Sequence, residues 1–187
     1  MPYWLHTCLT KHEECFSEPP EWLPARLVDV GGTHDDATAR LVLTEGLQPR
    51  KCLYLTISHG DLSDTSASLT TANMQGYQDQ IVLCELPRLF QLVIRAAKML
   101  KHRYLWIEKL CVLQDSKGDM ATEHLDKGRI YGNSRITIVA MSMRYMCEIL
   151  EGSPVTHLRL SWSTIEPLAA HPRHTQQFRL TSGRKNC

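Results

Sequence analysis

The chain has 187 residues, 43% of them hydrophobic, which suits one ordinary core and excludes a wholly disordered polymer. Its 21 Lys and Arg against 20 Asp and Glu leave a formal charge of +1, so no global basic field points to nucleic acid. No apolar run is long enough for a membrane-spanning helix, and the opening residues lack the basic-then-apolar pattern of a secretion signal.

Seven cysteines are scattered without a disulfide-like spacing, as expected for a reduced, intracellular protein; these facts do not decide between nucleus and cytoplasm, and cytoplasmic is the expectation taken. Trp4, Leu5, Cys8, Leu9, His12 and Cys15 recur at helical spacing, and Pro19 and Pro20 close that segment. Cys8, His12 and Cys15 would share one helical face. Three soft ligands do not complete a structural zinc site, however, and no Cys-x-x-Cys supplies a fourth, so no metal is assigned.

Arg26 to Val30 reads as a strand stopped by Gly31 and Gly32, and Ala39 to Thr44 as its hairpin partner. Cys52 to Ser58 is a third strand. The Ser/Thr/Asp-rich stretch from about His59 to Asn73 is the longest polar connection, placed where binding residues often sit. Pro87 suits the start of a helix whose buried stripe is Leu89, Phe90, Val93, Ile94, Ala97 and Leu100.

Tyr104 to Glu108 reads as an inner strand ending in an acid. Asp115 or Ser116 would cap a helix running to about Tyr131, stopped at Asn133, before a final inner strand at Ile136 to Ala140. Strand, helix, strand, helix, strand favours a parallel α/β core. The division expected is an N-terminal helix and hairpin lead-in at 1–50, the α/β core at 51–150, and an irregular tail at 151–187.

An acid at the carboxyl end of an inner strand sits where open α/β sheets place ligands, so Glu108 is the first candidate for acid-base work or for holding a ribose hydroxyl. The plainer alternative is a cap or an ion pair with Lys109 or Arg103. Ser58 and His59, on the loop end of the third strand, are ligand-contacting candidates. A nucleophilic triad with Asp61 is improbable, since adjacent residues rarely reach that geometry and no Gly-x-Ser-x-Gly elbow exists. Glu123 would form a solvated pair with Lys127 one turn later. No Gly-x-Gly-x-x-Gly or phosphate-loop pattern occurs.

These segments, in order, resemble the fungal heterokaryon incompatibility (HET) domain over about residues 4–141. The resemblance is carried by a lead-in of Trp4, Leu5, Cys8, His12 and Cys15 followed by Leu23 to Val30, by Tyr54 to His59, by Thr70, Thr71 and Asn73, by Leu86, Pro87 and Phe90, and by Arg103 to Glu108 with Leu110, Cys111, Gln114 and Asp115. Glu123, Ile130, Tyr131 and Asn133, then Ile136 to Ala140, complete it. The departures are Asp61 and Leu62 for a usual Trp-Gly, Leu92 and Glu108 for usual aspartates, and Lys127 for a usual methionine.

The resemblance implies a three-layer parallel core of the TIR or flavodoxin type. It also implies a cell-death effector active in non-self recognition through protein partners or self-association. A TIR-like activity would make NAD a substrate, and Glu148 would then be a second catalytic candidate beside Glu108. The departures at polar positions leave an inactive, degenerate copy as a further alternative.

Overall fold

The computed structural model describes residues 20–31, 38–59 and 67–140, isolated helical positions at Thr7, Thr10 and Lys11, and short backbone pieces at 157–158, 160–161 and 178–179. Cys8, His12, Cys15, Asp61, Leu62 and Glu148 lie outside the described residues.

β1 (Arg26–Asp29) and β2 (Thr38–Leu43) form the expected hairpin, with Arg26 opposite Leu43 and Asp29 opposite Arg40. Gly31 leaves β1 with φ +77°, a left-handed conformation that glycine adopts without steric cost, and its N–H donates to Asp29 Oδ1 at 3.1 Å. β3 (Tyr54–His59) is buried through Ile57 and half-buried at Ser58 and His59.

A short helix not anticipated from sequence, α1 (Met74–Asp79), precedes β4 (Ile81–Val82), which pairs with β2. α2 (Arg88–Met99) begins after Pro87 and buries Leu89, Phe90, Leu92, Val93, Ile94 and Ala97. The apolar stripe is thus wider than the predicted one by Leu92, while Leu100 is the half-buried C-cap. Lys101, at φ 59°, reverses the chain.

β5 (Tyr104–Trp106) is shorter than predicted: Ile107 stays extended, and Glu108 opens the one-turn helix α3 (Glu108–Cys111). α4 (Lys117–Gly132) is capped by Ser116, whose side chain accepts from the Asp119 N–H, and ends at Asn133. Asp115 is therefore not the cap. Its carboxylate turns outward instead and accepts from the backbone and hydroxyl of Thr71.

β6 (Ile136–Ala140) completes the centre, and β7 (His157–Leu158), β8 (Leu160–Ser161) and β9 (Phe178–Arg179) add two-residue pieces where an irregular tail was expected. Among the described residues the strands form a mixed seven-stranded sheet in the order β4-β2-β1-β5-β3-β6-β8, with β7 and β9 paired separately.

Only β5, β3 and β6 are mutually parallel; the β1 pairings with β2 and β5, β2 with β4, and β6 with β8 are antiparallel. The predicted parallel sheet holds for this central trio alone. The reason is connectivity: β3 reaches β5, and β5 reaches β6, through helices that return the chain to the same end, whereas the hairpin link between β1 and β2 is too short for a crossover. Because β1 also pairs with β5, that hairpin belongs to the same sheet as the core strands.

Side chains alternate across β3, and the alternation separates two environments. Tyr54 OH donates to the Ile130 carbonyl at 2.7 Å, and Thr56 Oγ1 lies 3.1 Å from Ser134 Oγ, so these residues face α4 and the turn after it. His59 is of the opposite parity, and its ring lies 5.8 Å from that of Phe90 on α2.

Candidate functional site

β3 and β5 run parallel with Tyr54 beside Tyr104 and Thr56 beside Trp106, so both strands release their chains at the same rim of the sheet. Ser58 and His59 end one strand, and Glu108 follows the other by two residues. Alternation then divides them. Ser58 shares the α4 side with Tyr54 and Thr56, while His59 belongs to the face that holds Phe90.

Glu108 is 43% exposed, and its Oε2 lies 2.9 Å from Lys127 Nζ, itself 35% exposed. The partner is neither Lys109 nor Arg103, the two proposed from sequence. Arg103 instead makes two hydrogen bonds to the Asp29 carboxylate, each of 2.8 Å. Tyr131, one turn beyond Lys127, donates its hydroxyl to the Ile57 carbonyl at 3.0 Å and meets Trp106 edge-on. Burial and the nearby Glu108 charge both push the Tyr131 phenol up from its ordinary value. Ser58, Glu108, Lys127 and Tyr131 thus mark one side of the rim.

The loop leading to α1 braces this rim. The Leu69 N–H donates to the Lys109 carbonyl at 2.8 Å, and the Gln114 N–H donates to the Leu69 carbonyl at 2.9 Å. Asn73 accepts from the Thr70 N–H at 2.8 Å and donates to the Ser68 carbonyl at 2.9 Å. Thr70, Thr71 and Asn73 are therefore occupied in holding the loop shape.

Next to the rim, α4 buries a second group of charges that sequence reading missed. Arg26 at the start of β1 is almost fully buried; its Nη2 donates to both carboxylate oxygens of Asp119, and its Nε donates to the Cys111 carbonyl. The Leu113 N–H adds a 2.7 Å bond to Asp119.

Glu123 lies one turn on and is only 7% exposed. It does not pair with Lys127 at the surface. Its Oε2 has no hydrogen-bond partner among the described residues. Burial pushes its carboxyl up to about 7; the Arg26 charge opposes that, Asp119 and Asp126 add to it, and the Ala25 N–H opposes it. A signal was present in the sequence, since Glu123 is seven residues from the buried Ile130 and so near its helical face.

The rim offers an acid, an ammonium, a phenol and a serine hydroxyl, groups suited to hydrogen-bonding a polar ligand. Among the described residues no cluster of His, Cys, Asp and Glu is arranged to hold a metal ion, and no helix is long and apolar enough to cross a membrane.

Comparison with curated proteins finds no match, and comparison with solved structures finds none. The family described as heterokaryon incompatibility protein (HET) does match, over residues 54–182. That region opens at the first residue of β3, takes in the whole parallel trio, and continues past residue 141, where the motif-based resemblance stops. Since it spans well over half the chain, the protein belongs to the heterokaryon incompatibility family.

Proposed function

We propose that this chain is a fungal effector module of non-self recognition, triggering cell death from the cytoplasm through self-association or a protein partner. The observation that carries this reading is membership of the heterokaryon incompatibility family across β3, β5, α4 and β6. The parallel β3–β5 pairing supports a ligand-facing role for the rim, because it directs Ser58 and Glu108 to one end of the sheet. Induced expression in a filamentous fungal host tests the proposal. Growth arrest is the expected outcome. Unimpaired growth at confirmed protein levels would favour an inactive copy.

A second reading is hydrolysis of NAD in the manner of TIR enzymes, whose parallel core the family resemblance implies; in this mixed sheet the parallel part is the trio β5, β3 and β6. It is supported by an acid at the carboxyl rim of parallel strands, where ribose-binding carboxylates occur in other α/β sheets. Glu108 is its first catalytic candidate and Glu148 its second, with Ser58 and His59 as ligand contacts. Concentrated protein incubated with NAD should release nicotinamide, and Glu108→Gln should abolish the release. Release that persists in Glu108→Gln removes Glu108 from the site, and no release from the unmodified protein removes the enzymatic reading.

A further inference from the structure

We propose that the Glu123 carboxyl group is a proton-operated latch: neutral, it lets α4 seat against β1 and α3; ionised, it loosens the first half of α4 and the hold of Lys127 on Glu108. The argument begins with the cation count. One guanidinium, Arg26, faces two buried or half-buried acids, Asp119 and Glu123, and its Nη2 and Nε are already committed to Asp119 and to the Cys111 carbonyl.

An ionised Glu123 would be nine-tenths removed from water, with one oxygen lacking any partner among the described residues. Desolvating a charge in that way is costly unless it is paired. The groups facing it are Arg26 from β1, the Ala25 N–H just before it, Tyr54 from β3, Cys111 from α3, and Asp119 and Asp126 from α4 itself. Burial holds Tyr54 and Cys111 in their neutral forms, and an ionised Glu123 would push both further the same way. Arg129, also on α4, acts on Tyr54, but among the described residues Arg26 is the one cation that acts on the Glu123 carboxyl itself.

The sign follows from linkage. Burial raises the folded-state value above the ordinary glutamate value, so the folded chain holds a proton that the unfolded chain has released. The stability this contributes is full at low pH and is lost as pH rises toward about 7, by a factor on the order of a hundred in the folding equilibrium.

Amide hydrogen exchange along residues 119–127 of the full chain tests the latch, with Glu123→Gln compared with the unmodified protein at each pH. The expected result is an exchange ratio, unmodified over E123Q, that rises about tenfold or more between roughly pH 6 and pH 8. A constant ratio across that range overturns the proposal. Should E123Q fail to fold, carboxyl-carbon NMR titration of Glu123 in the unmodified chain decides. A midpoint near 7 that coincides with a fall in α4 protection, taken relative to the intrinsic exchange rate at each pH, supports the latch; a midpoint in the ordinary range of about 4.3, or protection that stays constant through the titration, overturns it.

Discussion

Lys127 Nζ lies 2.9 Å from Glu108 Oε2, so the acid that follows β5 is held by the third turn of α4. These are also two positions at which the chain departs from the heterokaryon incompatibility pattern, a glutamate for an aspartate and a lysine for a methionine. The longer acid and the new ammonium meet. One departure is thus answered by the other, which places a charge pair at the rim where the family pattern has a single acid.

That pair should matter little to folding, because both side chains are more than one-third exposed. Lys127→Met and Glu108→Gln are each expected to change unfolding stability by less than about 1 kcal/mol. Urea denaturation measures this. A loss of several kcal/mol would show that the pair is structural, and functional effects of these variants would then need another explanation.

Asp29 should behave differently. It is 3% exposed and receives both Arg103 hydrogen bonds, the Gly31 N–H and a longer contact from Arg40 at 3.6 Å. Burial works to raise its carboxyl, but the Arg103 hydrogen bonds, the Gly31 N–H and the charges of Arg103 and Arg40 outweigh it, so the carboxyl is lowered overall. Asp29→Asn is expected to cost about 1–3 kcal/mol at neutral pH. A lowered carboxylate stabilises above its unfolded value and loses that contribution as pH falls through the folded one. The gap between the two proteins should therefore close below about pH 4. Denaturation curves that show an equal gap at every pH would contradict the assignment.

Phe90 is fully buried on α2 and its ring lies against His59. Phe90→Ala should cost about 3–5 kcal/mol, through lost burial and the cavity left behind. Phe90→Leu should be milder, yet it should still move the His59 ring resonances in an NMR spectrum by removing the adjacent aromatic ring. Unchanged His59 resonances in a folded Phe90→Leu protein would mean that α2 does not seat this histidine.

Asp115 is solvent-exposed, and its carboxyl is lowered by hydrogen bonds from the Thr71 hydroxyl and N–H. Its role is local. Asp115→Ala should speed amide exchange at residues 69–73 while leaving β3 and β5 as protected as before. Equal loosening of the strands would show that this loop is part of the cooperative core.

Much of the architecture was legible because it rests on local periodicity. The stripe Leu89, Phe90, Val93, Ile94 and Ala97 marks α2 without reference to any neighbour, and the apolar runs at Tyr54 and Ile136 mark two of the three parallel strands. The release of β3 and β5 at one rim also follows from the order of elements, since a helical crossover returns a strand in the same direction. Boundaries were less legible: Glu108 opens α3 instead of closing β5, a difference set by one backbone turn.

Pairings across the chain were beyond local pattern. Whether Lys127 answers Glu123 or Glu108 depends on which way α4 is rolled against the sheet, and a four-residue spacing is compatible with either. Likewise, nothing near Arg26 announces that its guanidinium meets Asp119, 93 residues later, or that β1 lies between β2 and β5. Periodicity reports whether a side chain turns inward; only the packed chain brings distant charges together, because their partners are chosen by distance in space, through Coulomb attraction and the cost of losing water.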